Sequence, residues 1–153
     1  TNEILSKQYS QSLEIDFVLD TISGLLVRDF IDFNNCIIHS DQGSHYTSTS
    51  YIALLNNLNV ARSMSRRGNC WDNSPIESFF GHMKDELNLL ECDSFEAVCN
   101  ELDDYFDYYN NYRCQWNLNK TTPVKYRNFL LSQPGTALAI IYNLKEPVLL
   151  QVL

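Results

Sequence analysis

Two carboxylates in this sequence have the residue type that metal-assisted chemistry requires, and each is predicted at the end of a helix or strand. Asp41 follows an apolar run at residues 36–38 that is typical of a buried strand, and Glu77 lies in the first turn of a predicted helix. Thirty-five residues lie between them, and Lys84 follows Glu77 by about two helical turns on the same face. Carboxylate oxygens are the hard ligands that Mg²⁺ prefers, and two such ions about 3.5–4 Å apart can assist an in-line displacement at phosphorus.

Each carboxylate also has a purely structural explanation. Ser74 with Glu77 three residues later fits a capping box, in which the Glu side chain reaches back to the amide that precedes the helix. Asp41 lies in the string Ser-Asp-Gln-Gly, which fits a turn whose Asp side chain caps its own backbone. On these residues alone, the structural explanation is favoured for both carboxylates.

The elements that must position these residues follow from hydrophobic periodicity. Apolar residues recur every three or four positions from Leu13 to Leu26, which predicts a helix, and the run at 36–41 then predicts a parallel strand. This alternation is typical of an α/β layer, in which ligands bind on loops such as 42–48 at the carboxyl ends of strands. The other predicted elements are a helix over 51–58, a strand over 59–64, and helices over 75–88, 94–112 and 123–131.

The helix predicted over 94–112, with its N-cap at Ser94 or Asp93, carries aromatic residues with two alternative uses. Tyr105, Phe106 and Tyr109 are suited to stack on nucleic-acid bases. Their helical spacing, with acidic residues between them, favours instead a stripe that faces the protein core.

Composition limits the class of protein. A chain of 153 residues suits one domain with a real core, and no apolar run approaches the roughly 20 residues of a membrane span. We therefore expect a cytoplasmic protein without a membrane partner. The five cysteines form no CxxC pair, and we expect buried free thiols rather than a zinc site. A net charge of −8 argues against binding to nucleic acid by the surface as a whole.

Three strings in the sequence resemble the catalytic core of insertion-sequence transposases of the DDE type, which are related to retroviral integrases. They are HSDQGSHYTS at 39–48, GNCWDNSPIESFFGHMKDEL at 68–87 and YNNYRCQWNLNKTTPVKYR at 109–127. The resemblance covers residues 1–132, taken as a partial catalytic core with its C-terminal helices. It implies an α/β fold of the RNase-H-like class, as in integrase catalytic cores.

The resemblance also implies chemistry and partners. In the family, three carboxylates hold a pair of Mg²⁺ or Mn²⁺ ions, and Asp41 and Glu77 match the second and third of them. The implied activity is metal-dependent DNA cleavage and strand transfer, with transposon ends and target DNA as partners. A local basic patch on this acidic chain would contact the DNA. The expected DNA-binding residues are Lys84, Arg66, Arg67, Trp71 and Arg113.

The sequence departs from the family pattern at both ends. Residues 1–9 resemble the end of the third strand, so the first strands and the first catalytic Asp are expected to be missing. We therefore expect exposed sheet edge, an incomplete two-metal site and impaired catalysis by this chain alone. Residues 133–153 match no family string and form an atypical tail that ends in the β-like VLLQVL. Asp72 lies near Glu77 and is interpreted as a residue that structures its loop.

Two alternatives to a catalytic fragment remain open. The first is a non-catalytic, nucleic-acid-binding or inhibitory remnant that pairs with a full-length transposase. The exposed sheet edge and the acidic charge are compatible with such pairing or with self-association. The second is an unrelated α/β module whose carboxylates only cap helices, and it would have to explain all three matching strings by chance.

Overall fold

The computed structural model describes residues 1–66, 70–133 and 148–151, and within these ranges it has five α-helices, four short 3₁₀ helices and three strands. The predicted α/β class is confirmed, and every helix and strand predicted between residues 13 and 131 is present. By internal contacts the chain divides into a sheet unit, Leu5–Ile76 with Leu144–Leu153, and a helical unit, Thr1–Ile4 with Glu77–Asn143. In chain order the elements are α1 (Asp16–Ser23), β1 (Cys36–Ser40), α2 (Thr49–Asn57), β2 (Ala61–Met64), α3 (Ser74–Glu86), α4 (Phe95–Asn111), α5 (Pro123–Ser132) and β3 (Val148–Gln151).

The sheet has β1 at its centre, with β2 on one side and β3 on the other, and both pairings are parallel. Ile38 is in register with Arg62 of β2 and with Leu150 of β3. The strand predicted in the C-terminal string is confirmed over Val148–Gln151, while residues 134–147 and 152–153 lie outside the described residues. The expected open edge is closed beside β1, because β3 supplies hydrogen-bonding partners there.

The core of the sheet unit lies between α1, α2 and β1. Val18, Ile22 and Ile38 are between 0% and 2% exposed, and so are Tyr51 and Leu55 of α2. The apolar stripe predicted from Leu13 onward is therefore the face of α1 that packs into this core. Burial of that stripe holds β1 in place and fixes the position at which the chain leaves it.

The helical unit is built around an aromatic cluster. Tyr105, Phe106 and Tyr109 of α4 are buried and contact Phe79 of α3. The Phe79 ring is stacked on Phe106 with centroids 5.9 Å apart, and it meets Tyr109 edge-on at 4.9 Å. The aromatic residues of α4 are thus core residues, as their spacing favoured. Helix α4 begins after Ser94, whose hydroxyl caps it as predicted.

The N-terminal residues do not form the strand that the family resemblance implied. The chain has no helix or strand between residues 1 and 15. The Ile4 amide instead donates to Asn110 Oδ1 at 3.0 Å, and Asn110 Nδ2 donates to the Ile4 carbonyl at 2.9 Å. The side-chain amide of Asn110 satisfies this backbone in place of a neighbouring strand, so the strand prediction was wrong.

Two buried tyrosines make the protein sensitive to alkali. Burial raises the pKa of Tyr51 and of Tyr105 to about 12. Above pH about 10, the ordinary tyrosine pKa, the unfolded chain releases these protons while the folded chain keeps them. We therefore expect the free energy of unfolding to fall between about pH 10 and 12, and Tyr51→Phe to make that fall shallower.

Urea unfolding followed at several pH values across that range measures the effect. Tyr108→Phe is the matched control, because Tyr108 is 47% exposed on α4. A Tyr51→Phe variant with the same pH dependence as the wild type would show that Tyr51 does not keep its proton in the folded state.

Candidate functional site

The loops that follow β1 and β2 are joined directly after the strands end. The Ser65 amide donates to the Ser40 carbonyl at 2.9 Å, and the Ser65 hydroxyl donates to the same oxygen at 3.3 Å. Gln42 Nε2 donates to the Ser65 carbonyl at 3.1 Å. Because the strands are parallel, both loops leave the same edge of the sheet, where ligands of α/β proteins bind.

Asp41 is exposed at this edge, and its carboxylate is partly held by the next turn. The Gly43 amide donates to Asp41 Oδ1 at 2.7 Å, so the predicted turn chemistry is present. No hydrogen bond to Asp41 Oδ2 occurs within the described residues. The turn therefore orients the carboxylate and leaves one oxygen available, which makes the structural and the metal-binding explanations compatible.

Gly43 is required by this arrangement, and the sequence analysis did not assign it a role. A Cβ atom at Gly43 would lie 2.9 Å from Asp41 Oδ1 and 3.4 Å from the Tyr46 ring. Tyr46 is close enough that its pKa is raised, first by burial and then by the Asp41 charge. The Asp-x-Gly spacing is the signal that could have identified Gly43.

His39 is a second polar residue that sequence reasoning left without a role. It lies on β1, only 9% exposed, and its Nδ1 is 2.9 Å from the hydroxyl of Ser63, its register partner on β2. Its Nε2 is buried without a hydrogen-bond partner among the described residues. A polar residue that follows an apolar strand run was the available signal.

Glu77 and Lys84 both lie on α3, seven residues apart, so the prediction that they share a helix face is confirmed. Both side chains are exposed, and neither forms a hydrogen bond or ion pair with any described residue. The predicted capping box is not formed among the described residues. Ser74 is itself the first residue of the helix, and no hydrogen bond joins the Glu77 side chain to Ser74. Among the described residues, the Glu77 carboxylate is therefore exposed and without a partner.

Arg66 and Asp72 close the loop that leads to α3. Asp72 Oδ2 accepts from the Arg66 amide and from Arg66 Nε, and Oδ1 accepts from Nη2, each at 3.0 Å. These hydrogen bonds lower the pKa of Asp72 to about 2. The arrangement fits the interpretation of Asp72 as a loop-structuring residue and shows that Arg66 already has an anionic partner. Trp71, between them, is 81% exposed, and Arg67 lies outside the described residues.

Arg113 forms a similar fork in the helical unit. Its Nη2 is 2.7 Å from Glu86 Oε1 and its Nε is 3.1 Å from the same oxygen. The guanidinium carbon lies 5.9 Å from the ring centroid of Tyr109, and the hydrogen bonds from Arg113 lower the pKa of Glu86. Arg113 thus ties the end of α3 to the segment after α4, and its contact with DNA remains a prediction.

The described residues contain neither a cluster of metal-binding side chains nor a helix that could span a membrane. Within the described ranges, no three His, Cys, Asp or Glu side chains come together as a metal-binding group. The thiols of Cys36, Cys92, Cys99 and Cys114 are free, but only Cys36 is fully buried and Cys114 is exposed. None of the helices in the described part of the chain has the length and apolar character to cross a bilayer.

Comparison with known proteins gives three consistent results. Residues 77–131 match the integrase core domain family. The chain is 34% identical over 131 residues to InsK, a protein of insertion sequence element IS150 in Escherichia coli (strain K12), covering 83% of this chain and 45% of that protein. It is 36% identical over 95 residues to the transposase of insertion sequence element IS904 from Lactococcus lactis, covering 61% of this chain and 38% of that one. The chain spans about half the length of the curated relatives it matches.

The catalytic core domain of BIV integrase has a similar fold. It superposes with a TM-score of 0.60 at 19% identity, covering 80% of this chain and 76% of the integrase chain. The fold is therefore that of an integrase catalytic core, in the RNase-H-like class, as predicted. With the sequence similarities above, the chain is related to the catalytic core of insertion-sequence transposases of the DDE type.

The Arg66–Asp72 fork predicts how the loop responds to a protease. Trypsin must draw the Arg66 side chain into its specificity pocket, which requires Arg66 to leave Asp72. We expect Asp72→Ala to be cleaved after Arg66 several-fold faster than the wild type, a modest effect because Arg66 is 77% exposed. Mass spectrometry of the early fragments measures the rate, with cleavage after Arg28 as the internal reference.

Glu14→Ala is the matched control, since it removes an exposed carboxylate elsewhere in the sheet unit and away from both cleavage sites. Equal rates of cleavage after Arg66 in the wild type and in Asp72→Ala would mean that the fork does not restrain the loop in solution.

Proposed function

We propose that Asp41 and Glu77 are ligands of divalent cations and that the chain supplies part of the catalytic site of a transposase that cleaves and joins DNA. The observation that carries this proposal is the state of the two carboxylates. Among the described residues, Asp41 is oriented by the Gly43 amide with Oδ2 left available, and Glu77 has no partner. Exposed carboxylates that no described cationic side chain neutralises are suited to a metal ion.

The donor set fits Mg²⁺ or Mn²⁺ only in part. Two carboxylates supply hard oxygen ligands, and these ions keep several waters and accept substrate phosphates in the remaining positions. When bound, such ions would activate the attacking hydroxyl and stabilise the leaving oxygen at phosphorus. The chain's own contribution is to fix Asp41 through Gly43 and to present Glu77 at the start of a rigid helix.

The first catalytic Asp of the family has no counterpart that we can assign in this sequence. We therefore propose that the chain by itself binds metal and DNA but cleaves poorly. A metal-dependent nicking activity of this chain that is abolished by Glu77→Gln would contradict the proposed impairment. Binding to a full-length transposase with inhibition of its activity would favour the inhibitory remnant instead.

DNA binding is proposed to depend mainly on Lys84. Its ammonium group is exposed and unengaged among the described residues, whereas Arg66 and Arg113 are held by Asp72 and Glu86. These two arginines could contact phosphates only by exchanging a carboxylate partner for a phosphate. With a net charge of −8, the chain needs the bound cation to reduce repulsion near the two carboxylates.

Thermal unfolding in the presence of Mn²⁺ tests the metal site. A cation that binds only the folded state raises the midpoint of unfolding, and the rise grows with the ratio of its concentration to its Kd. We expect this rise in the wild type and the loss of most of it in Asp41→Asn and in Glu77→Gln. Gly43→Ala should give an intermediate rise. Its methyl carbon would lie 2.9 Å from Asp41 Oδ1, so the carboxylate must shift from its present position.

Two control variants complete that experiment. Ser44→Ala changes the same loop without touching the carboxylate, and Glu14→Gln removes an exposed carboxylate from the sheet unit. Both should respond to Mn²⁺ like the wild type. An undiminished response in Asp41→Asn and Glu77→Gln would place the bound cation elsewhere and overturn the proposal.

A further inference from the structure

Gly81 lies in the interior of α3, where the helix gains nothing from a glycine. Glycine loses more backbone freedom than alanine when a helix forms, so an interior glycine weakens the helix. Relative to alanine, Gly81 therefore lowers the stability of α3. Helix α3 is continuous from Ser74 to Glu86, so Gly81 neither ends it nor forms a turn.

No packing reason for Gly81 exists within the described part of the chain. A Cβ atom at Gly81 would meet no atom within 4 Å. The other two described glycines differ in this respect, because a Cβ at Gly24 would collide with the Ser6 hydroxyl and one at Gly43 with the Asp41 carboxylate. Gly81 alone among these three leaves open space above its backbone.

The open space beside Gly81 lies between the side chains of Glu77 and Lys84 on α3. Glu77 is four residues before it and Lys84 three residues after it, so the three residues adjoin on one face of the helix. All three are exposed, while Phe79 is 5% exposed and packs into the aromatic cluster from the other side of α3. The face formed by Glu77, Gly81 and Lys84, here the bare face, therefore exposes helix backbone between a carboxylate and an ammonium group.

We propose that the bare face receives the sugar–phosphate backbone of one DNA strand and that Gly81 is a positioning residue that allows the strand to approach the helix closely. This inference rests on the function proposed above. A phosphate beside Lys84 gains a charge-assisted contact, and a cation held by Glu77 compensates the carboxylate. A strand of DNA fits this pairing of charges, with a cation at one end and an ammonium group at the other.

If the proposal holds, Gly81→Ala makes the protein more stable and weakens its binding to DNA. Gly81→Ala strengthens the helix, because alanine is the best helix former and the structure has room for its methyl group. The same methyl group occupies the space that the strand would enter, so it weakens DNA binding. A glycine kept for folding alone would produce no loss of affinity when the fold is made more stable.

The experiment measures both quantities on the chain and its variants. Fluorescence anisotropy of a labelled DNA duplex in Mg²⁺ gives the Kd, and thermal unfolding gives the midpoint. We expect Gly81→Ala to raise the midpoint and to weaken DNA binding several-fold, and the larger Gly81→Gln to weaken it by about tenfold. Lys84→Ala should also weaken binding and should reduce the slope of log K against log salt by about 0.9, the loss of one phosphate contact.

Asn100→Ala is the matched control, because it improves helix propensity at an exposed site of α4 and should leave the Kd unchanged. If the wild type and Lys84→Ala differ as expected but both Gly81 variants bind DNA like the wild type, the inference about Gly81 is overturned and the proposed function stands. A wild-type chain that shows no salt-dependent DNA binding would overturn the proposed DNA function, and the inference with it.

Discussion

The parallel pairing of β1 with β2 is the constraint on which the candidate site depends. Burial of Ile38 against α1 and α2 fixes β1, and the bonds from Ser65 to the Ser40 carbonyl hold the two strand ends together. The chain must then leave both strands at one edge, which places Asp41 in solvent directly beyond the core. The short turn closed by Gly43 also orients the Asp41 carboxylate, because the hydrogen bond from the Gly43 amide to Asp41 Oδ1 restricts the rotation of that side chain.

The charges of this acidic chain are organised locally rather than spread evenly. Two arginines are used as structural forks, Arg66 with Asp72 and Arg113 with Glu86, and each closes a loop beside α3. Among the described residues, the charged side chains without an ion-pair partner include Asp41, Glu77 and Lys84. Because exposed ion pairs contribute little to stability, the unengaged charges cost the fold little and remain available for a metal ion and a phosphate.

Local patterns sufficed for most of the elements and failed where distant residues decide the structure. The helical period and the Ser94 cap predicted α4, and the aromatic spacing predicted its buried face. The strand proposed for residues 1–9 was wrong because its backbone is satisfied by Asn110, 106 positions from Ile4. Nothing in the sequence could show that Glu86, 27 positions away, engages Arg113, or that β3 pairs with β1. At the site, the family resemblance indicated Asp41 and Glu77, whose residue types alone favoured structural roles, while Gly43 became evident only from its distance to a carboxylate oxygen.

The central claim is that Asp41 and Glu77 are ligands of divalent cations, and nuclear magnetic resonance with Mn²⁺ tests it most directly. This paramagnetic ion broadens the amide signals of nearby residues before those of distant ones. In the ¹⁵N-labelled chain, the account predicts that substoichiometric Mn²⁺ first broadens the signals around Asp41 and those around Glu77. It also predicts that Asp41→Asn removes the broadening around residue 41 and that Glu77→Gln removes the broadening around residue 77. Broadening that begins instead at the exposed acidic residues of α4 would contradict it.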